Sequence, residues 1–218
     1  FKKEFDSEKE YHKALGLDHC IDIATPFSTR NNGSGPYRDL VRKMGLMEEY
    51  ARDMTERLVK NQYMVRPSVM PPEHHNDSFV ADKAIEFIRN QPADKPYCLV
   101  ASFPGPHTPL DAPGKYATMY DPEKIELPPN VPEKMRYSGT DYDRDGIRKA
   151  RANYFGKISL IDDNVGRIVE ETKKRGKWDN TLVIFTSDHG EMIGAQGKMS
   201  KGKFWEESAR VPLFLRWP

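Results

Sequence analysis

Hydrophobic residues follow two different patterns along the chain. Residues 97–103 and 182–186 are short, nearly continuous runs of apolar and β-branched side chains. Such runs are typical of strands that are buried on both faces of a parallel sheet. Residues 79–88 and 147–175 instead place apolar side chains three and four positions apart, which is the spacing of an amphipathic helix. Helices that alternate with buried strands predict an α/β fold with a mainly parallel sheet flanked by helices.

The domain organisation follows from where these elements lie. Residues 1–77 predict an irregular and helical variable region, and residues 78–218 predict the α/β core portion of the same domain. The stretch from 104 to 140 is rich in proline and too long for a simple connection, which favours a functional loop. Because the chain opens on Phe1 and closes directly after an apolar run at 211–215, we expect an internal part of a longer domain.

The composition excludes some kinds of partner. The chain has 34 Lys and Arg residues against 33 Asp and Glu residues, so its net charge is close to zero. A balance of this kind argues against nucleic acid or an anionic membrane surface as the partner. No apolar run approaches the roughly 20 residues that a membrane-spanning helix needs. The pattern therefore predicts a domain with neither a nucleic-acid interface nor a membrane span.

Polar residues follow each predicted strand. His107 comes shortly after the first strand, and Asp188 and His189 come directly after the second. Ligands in open α/β sheets sit just beyond the carboxyl ends of strands, so these loops can converge if the two strands run parallel. A carboxylate and an imidazole can bind a divalent cation. The alternative for the second pair is that Asp188 caps a turn and His189 is a surface residue.

A basic run lies close behind this pair in the sequence. Lys198, Lys201 and Lys203 stand beside two glycines, and glycine lets the backbone approach a ligand while an ammonium group binds an anionic oxygen. A solvated lysine-rich loop is the alternative interpretation, and the run alone favours it.

Four segments together resemble a known family. They are Asp-Asn-Thr-Leu-Val-Ile-Phe-Thr-Ser-Asp-His-Gly-Glu at 179–191, Lys-Gly-Lys-Phe-Trp-Glu-Glu-Ser-Ala-Arg-Val-Pro-Leu at 201–213, Pro-His-Thr-Pro at 106–109, and Tyr-Phe-Gly-Lys-Ile-Ser-Leu-Ile-Asp-Asp-Asn-Val-Gly-Arg at 154–167. With them, the sequence resembles the sulfatase family of the alkaline phosphatase superfamily from about residue 78 to the end. The resemblance implies an alkaline phosphatase-like catalytic domain, incomplete at both ends, that hydrolyses sulfate monoesters.

The resemblance also implies roles for individual residues. Asp188 and His189 match metal ligands, for Ca²⁺ in most members, with Mg²⁺ or Mn²⁺ as alternatives. His107 matches the histidine that contacts the sulfate ester and assists the leaving group, and Lys201 matches the lysine that binds a sulfate oxygen. The implied substrate is a sulfated small molecule or carbohydrate. The family also suggests a periplasmic, extracellular or lysosomal protein, and no oligomeric state follows.

Two parts of the family's site are absent from this sequence. The Cys/Ser-x-Pro-x-Arg motif, which yields the formylglycine nucleophile, is missing, and so is the first pair of metal-binding aspartates. We expect both to precede Phe1 and expect no turnover from these residues alone. Two rival hypotheses remain open. One is a phosphodiester or phosphonate monoester hydrolase of the same superfamily, and the other is a non-catalytic binding module that keeps the fold.

Overall fold

The computed structural model describes residues 8–23, 25–30, 35–128 and 130–218. Within these ranges the chain forms seven α-helices: α1 (Glu8–Ala14), α2 (Pro26–Thr29), α3 (Pro36–Lys43), α4 (Met47–Lys60), α5 (Asn76–Asn90), α6 (Arg144–Lys174) and α7 (Glu206–Ala209). It also forms four strands: β1 (Lys134–Tyr137), β2 (Thr140–Asp143), β3 (Val183–Thr186) and β4 (Leu213–Arg216). Several single 3₁₀ turns connect these elements.

The two predicted helices are present, and local sequence signals set their ends. At the start of α5 the Asp77 N–H donates to the Asn76 side-chain oxygen at 2.9 Å, and the Asp143 carboxylate caps α6 by accepting from the Gly146 N–H at 2.7 Å. Gly176, directly after the last turn of α6, has a φ of +65°, a left-handed conformation that ends a helix. The helical spacing in the sequence therefore located both elements to within a few residues.

The buried face of α6 differs from the apolar stripe in the sequence. Ile147, Ala150 and Ile161 are buried as their spacing predicts, but Ile158 is 42% exposed. Lys157, a polar residue next to Ile158, is buried instead. The face of α6 that packs inward therefore carries charge as well as apolar surface.

The predicted parallel sheet is not confirmed. The residues described form two separate two-stranded sheets, β1–β2 and β3–β4, and both are antiparallel. Residues 97–103 are not a strand in the structure. Residues 183–186 do form a strand, but its partner is β4, with Ile184 opposite Leu215.

The exposure of β3 and β4 gives the physical reason for this difference. A strand buried on both faces needs a ladder partner at each edge and a packed layer above and below. Among the described residues, β3 has only one ladder partner, and Ile184 and Leu215 remain 57% and 64% exposed. A segment such as 97–103 forms no strand without a partner, because strand hydrogen bonds are made between segments distant in the sequence.

The two largest hydrophobic clusters among the described residues pack around different helices. The first packs α3, α4 and the start of α5, and consists of Tyr37, Val41, Tyr50, Met54, Met70 and Phe79. The second surrounds the first half of α6 and consists of Tyr63, Leu110, Val131, Tyr142, Ile147, Ala150, Ile193 and Met199. The second cluster joins the loop after His107 to the loop before Lys201. No helix in the described ranges is long and apolar enough to cross a membrane.

Candidate active site

The loop that carries His107 is held at both ends by buried charges. The Gly105 N–H donates to Asp77 Oδ1 at 2.8 Å. On the other side, Lys157 Nζ donates to the carbonyl oxygens of His107 and Pro109, at 2.9 and 2.8 Å. The loop has little regular secondary structure, so these side-chain contacts define its path.

A buried ionic cluster lies behind the loop. Asp111 lies between two cations, with Lys157 Nζ 3.0 Å from its Oδ1 and His75 Nε2 3.6 Å from its Oδ2. The other ring nitrogen of His75 lies 3.2 Å from Asp77 Oδ2. Burial alone would raise the pKa of Asp111, but Lys157 and His75 outweigh burial and hold that pKa well below its usual range.

His75 shifts in the complementary direction. Burial alone would lower the pKa of this imidazole, but its contacts with Asp111 and Asp77 outweigh burial and raise the pKa. A protonated His75 bridges the two carboxylates, so the cluster balances two cations against two anions. A buried cluster of this kind is stable only while every charge keeps its partner.

The His107 ring has a defined orientation. Its Nδ1 lies 2.8 Å from the Thr108 carbonyl oxygen, which can only accept, so Nδ1 carries a proton and Nε2 is the atom left for a ligand. Burial lowers the pKa of His107, and the ammonium groups of Lys201 and Lys157 lower it further. Glu191 acts in the opposite direction. His107 thus faces one anion and two cations.

Asp188 and His189 follow β3 in a turn that is closed by local hydrogen bonds. The Ser187 hydroxyl donates to the His189 carbonyl oxygen at 2.9 Å, and the His189 N–H donates to Asp188 Oδ1 at 2.9 Å. His189 Nδ1 donates to the Gly190 carbonyl oxygen at 2.8 Å, which leaves Nε2 free to coordinate. The predicted pair therefore presents its donor atoms at the surface.

The donor set suits a hard cation but is small. Asp188 Oδ2 and His189 Nε2 are 3.5 Å apart, and the Asp188 side chain is 84% exposed. In the part of the chain that the structure describes, no group of three or more His, Cys, Asp or Glu side chains could hold a metal ion. Because Ca²⁺ takes about six to eight ligands, this pair can supply only part of a coordination shell.

Lys201 is placed by a loop that folds back on itself. The Met192 N–H donates to the Ser200 carbonyl oxygen at 3.0 Å, and the Gly190 N–H donates to the Ser208 carbonyl oxygen at 2.8 Å. A Cβ at Gly190 would lie 2.1 Å from the Glu207 carbonyl oxygen, so only glycine permits this approach. The fold of this loop carries Lys201 back toward the turn after β3.

Glu191 lies between the two sides of the site. Both of its carboxylate oxygens are 3.2 Å from the Tyr63 hydroxyl, which donates to them. The carboxylate affects the pKa of His107 and also that of Tyr154. Burial, followed by Glu191 and Asp188, raises the pKa of Tyr154 to about 12. Tyr154 is therefore a neutral hydroxyl group near neutral pH, within electrostatic range of Asp188.

The structure brings the predicted site residues into one region. His107 and Lys201, 94 positions apart, are close enough to interact electrostatically. Asp188 acts on Tyr154, whose other anionic neighbour Glu191 also acts on His107. An imidazole and an ammonium group can bind the oxygens of an anionic ester between them, with cation ligands nearby.

Several residues of this region carry no functional signal of their own in the sequence. They are Tyr63, Tyr154, Lys157 and Glu191. Tyr154, Lys157 and Glu191 lie in segments that carry the family resemblance, which is their only signal, and no role was predicted for them. Tyr63 had none, since it reaches Glu191 across 128 positions of sequence.

Comparison with known proteins identifies the family. A family model described as Sulfatase matches residues 3–218. The arylsulfatase of Clostridium perfringens is 34% identical over an alignment of 170 residues, and the match covers 72% of this chain and 35% of the relative. The choline-sulfatase of Rhizobium meliloti is 33% identical over an alignment of 158 residues, and the match covers 65% of this chain and 31% of the relative.

A solved structure supports the same fold. The phosphonate monoester hydrolase of Agrobacterium radiobacter has a TM-score of 0.68 at 26% sequence identity, over 83% of this chain and 41% of that chain. The chain spans about a third of the length of the curated relatives that it matches. The match to the family model over nearly all residues shows that the chain belongs to the sulfatase family of the alkaline phosphatase superfamily.

Proposed function

We propose that the full-length protein hydrolyses sulfate monoesters, with the sulfate group bound between His107 and Lys201. Two findings support this proposal: the chain belongs to the sulfatase family, and the Lys201 ammonium lowers the pKa of His107 although the two residues come from distant loops. The curated relatives include an arylsulfatase and a choline-sulfatase, both named for sulfate ester substrates. The substrate class is accordingly a sulfated small molecule or carbohydrate.

Each of the two residues has a distinct role in this proposal. The Lys201 ammonium binds a non-bridging sulfate oxygen and stabilises the charge that this oxygen carries during transfer. The imidazolium form of His107, protonated on both nitrogens, gives its Nε2 proton to the ester oxygen as the bond from that oxygen to sulfur breaks, and the ring is left neutral. Nδ1 stays protonated and hydrogen-bonded to the Thr108 carbonyl oxygen throughout, so the ring keeps its orientation.

Asp188 and His189 would hold the metal ion. The carboxylate oxygen and the free Nε2 suit a hard divalent cation, and we propose Ca²⁺, with Mg²⁺ or Mn²⁺ as alternatives. A bound cation supplies charge stabilisation for the sulfate oxygens. The remaining ligands, and the formylglycine nucleophile typical of the family, would come from other parts of the full-length protein.

We also propose that β3 and β4 belong to a larger, mainly parallel sheet in the full-length protein. Both strands consist largely of apolar residues, yet Ile184 and Leu215 are more than half exposed within this chain. An apolar surface of this kind is normally covered. The curated relatives are about three times as long as the matched part, which leaves ample chain to cover it.

Kinetics of the site variants with an aryl sulfate test the proposed function. In the full-length protein, Lys201→Ala should lower kcat/KM for 4-nitrophenyl sulfate about 10²–10³-fold, since one charge-stabilising donor is lost. His107→Ala should lower it about 10²-fold or more. The matched control is Lys203→Ala, two positions along the same loop, which should remain within about 2-fold of wild type. Wild-type activity in both site variants would refute the proposal.

A second candidate function has one observation in its favour. The structural neighbour described above is a phosphonate monoester hydrolase. The same assay with a phenyl phosphonate monoester separates the two activities, because the substrate with the higher kcat/KM identifies the preferred group. A preference for the phosphonate ester would replace the sulfatase proposal while leaving the site residues in place.

A further inference from the structure

Lys157 is an unusual residue for the inner face of a long helix. Its side chain is 1% exposed, and its ammonium group has three oxygen partners within 3.0 Å. Two of these partners are the main-chain carbonyls of His107 and Pro109, which flank Thr108. A buried ammonium loses its hydration, so it remains charged only where acceptors replace the water. An apolar side chain could fill this space but could not bind the loop.

The main chain at residues 110–112, just after this loop, is also bound by buried side chains. Arg57, whose side chain is fully buried, donates to the Leu110 carbonyl oxygen at 3.3 Å. The Asn153 side-chain oxygen, one turn before Lys157 on α6, accepts from the Ala112 N–H at 3.1 Å. Buried side chains from two helices therefore fix the main chain that follows His107.

A buried carboxylate of opposite charge keeps the Lys157 ammonium in place. Its third partner is Asp111 Oδ1, and His75 binds the other oxygen of that carboxylate. His75 also contacts Asp77, which accepts the Gly105 N–H at the start of the same loop. One connected cluster therefore holds the loop before and after His107.

From this geometry we propose that Lys157 is a positioning residue: its buried ammonium fixes the main chain of the His107 loop and so aims His107 Nε2 at the ester oxygen. This role rests on the proposed function of His107. Lys157 does not contact the substrate in this scheme, because its ammonium is directed to the protein interior. Its effect on catalysis passes entirely through His107.

The proposal has a consequence for the titration of His107. The charged groups that act on this ring are Lys201, Lys157 and Glu191. Removal of the Lys157 charge takes away one of the two cations that lower the pKa of His107, so that pKa should rise. If proton donation by His107 is needed for turnover, the fall in kcat at high pH should move to higher pH in a Lys157 variant.

A double-mutant cycle in the full-length protein tests the proposal. Lys157→Met should lower kcat for a phenyl sulfate roughly 10–100-fold, because a small misplacement of a reacting group is enough for such a loss. In a His107→Ala background, the same change should cost less than about 3-fold, since the two residues act as a unit. Lys173→Met, at the exposed end of the same helix, is the matched control.

A second variant separates positioning from folding. Lys157→Met leaves Asp111 buried without its ammonium partner, which can unfold the protein. Lys157→Met combined with Asp111→Asn removes both charges and should recover stability, while kcat stays low because the two carbonyls still lack their donor. Wild-type kcat in this combined variant, or full additivity in the cycle, would overturn the proposal.

Histidine NMR gives a readout that does not depend on turnover. The His107 ring should titrate at higher pH in the Lys157→Met, Asp111→Asn variant than in wild type, and Lys173→Met should leave its titration unchanged. If the wild-type protein fails to hydrolyse sulfate esters but His107 shifts in this way, the proposed function fails, while the contact between Lys157 and the His107 loop is still supported. An unchanged titration of His107 in the combined variant would refute the positioning role.

Discussion

The two sides of the candidate site are built by different means. On one side, buried charges from separate segments hold the His107 loop, and the contacts from Lys157 cross about 50 positions of sequence. On the other side, Asp188 and His189 lie in a turn closed by hydrogen bonds between residues one or two positions apart. The β3–β4 ribbon that carries this turn is exposed. The first side depends on the interior of this chain, and the second depends on local backbone geometry.

The contrast indicates which side tolerates substitution within this chain. A buried ion pair is strongly destabilising when one partner is removed, because the other charge remains without solvent. An exposed pair contributes little, since water screens it. Changes on the His107 side should therefore affect folding and geometry together. Changes on the Asp188 side should affect ligand binding with little effect on folding.

The largest expected effect on stability comes from a comparison of two arginines, each of which binds main-chain carbonyls on one side of the candidate site. Arg57→Ala should lower the free energy of unfolding by about 3 kcal/mol or more, since Asp53 and the carbonyl of Leu110 lose a fully buried partner. Arg216→Ala, on β4, should cost about 1 kcal/mol or less because its guanidinium is partly exposed. Urea unfolding of the full-length variants measures both, and equal losses would contradict the contrast.

The next comparison tests whether β3 is covered in the full-length protein. If the larger sheet forms there, Ile184→Ala should lower the free energy of unfolding by about 2–4 kcal/mol, as for a buried isoleucine. Val59→Ala, at a 78% exposed position near the end of α4, should stay within about 0.5 kcal/mol of wild type. A loss at Ile184 as small as the one at Val59 would show that β3 remains exposed and would exclude the proposed sheet.

The smallest effect concerns pH and the buried cluster. His75 has a raised pKa in the folded protein, so its contribution to stability is complete below its unfolded pKa of about 6.5 and is lost as pH rises through the folded value. The difference in unfolding free energy between wild type and His75→Gln should therefore shrink from pH ~5 to pH ~9. A difference that grows with pH would show that His75 is not held as a cation.

Asp111 provides the opposite control for this titration. Its pKa is depressed, so its contribution is complete above an unfolded value of about 3.9 and is lost as pH falls through the folded value. Wild type should therefore lose stability in acid, and Asp111→Asn should lose less over the same range. Equal acid sensitivity of the two proteins would contradict the depressed pKa.

The two long helices α5 and α6 were accessible from sequence because their signals are local. The apolar spacing of α5 and α6, the capping position of Asp143 and the glycine after α6 each depend on residues within a few positions. The grouping of His107 with Lys201 came from the family resemblance, since no periodicity connects residues so far apart. The roles of His107 and Lys201 therefore stay predictions.

The remaining features depend on contacts between distant segments. The apolar pattern at 97–103 resembles a strand, but a strand forms only with a partner, and none of the described residues supplies one. Hydrophobic periodicity also misses buried polar residues, so it gave no sign that Lys157 is buried. Its burial becomes understandable only when Asp111 and the His107 loop are seen to surround it.

The most direct test of the central claim is a crystal structure of the full-length protein with a slowly hydrolysed aryl sulfate. We expect His107 Nε2 to lie within hydrogen-bond distance, about 3 Å, of the ester oxygen, and Lys201 Nζ to lie equally close to a non-bridging sulfate oxygen. Asp188 and His189 should coordinate a cation beside the same sulfate. A sulfate group bound away from either His107 or Lys201 would contradict the account.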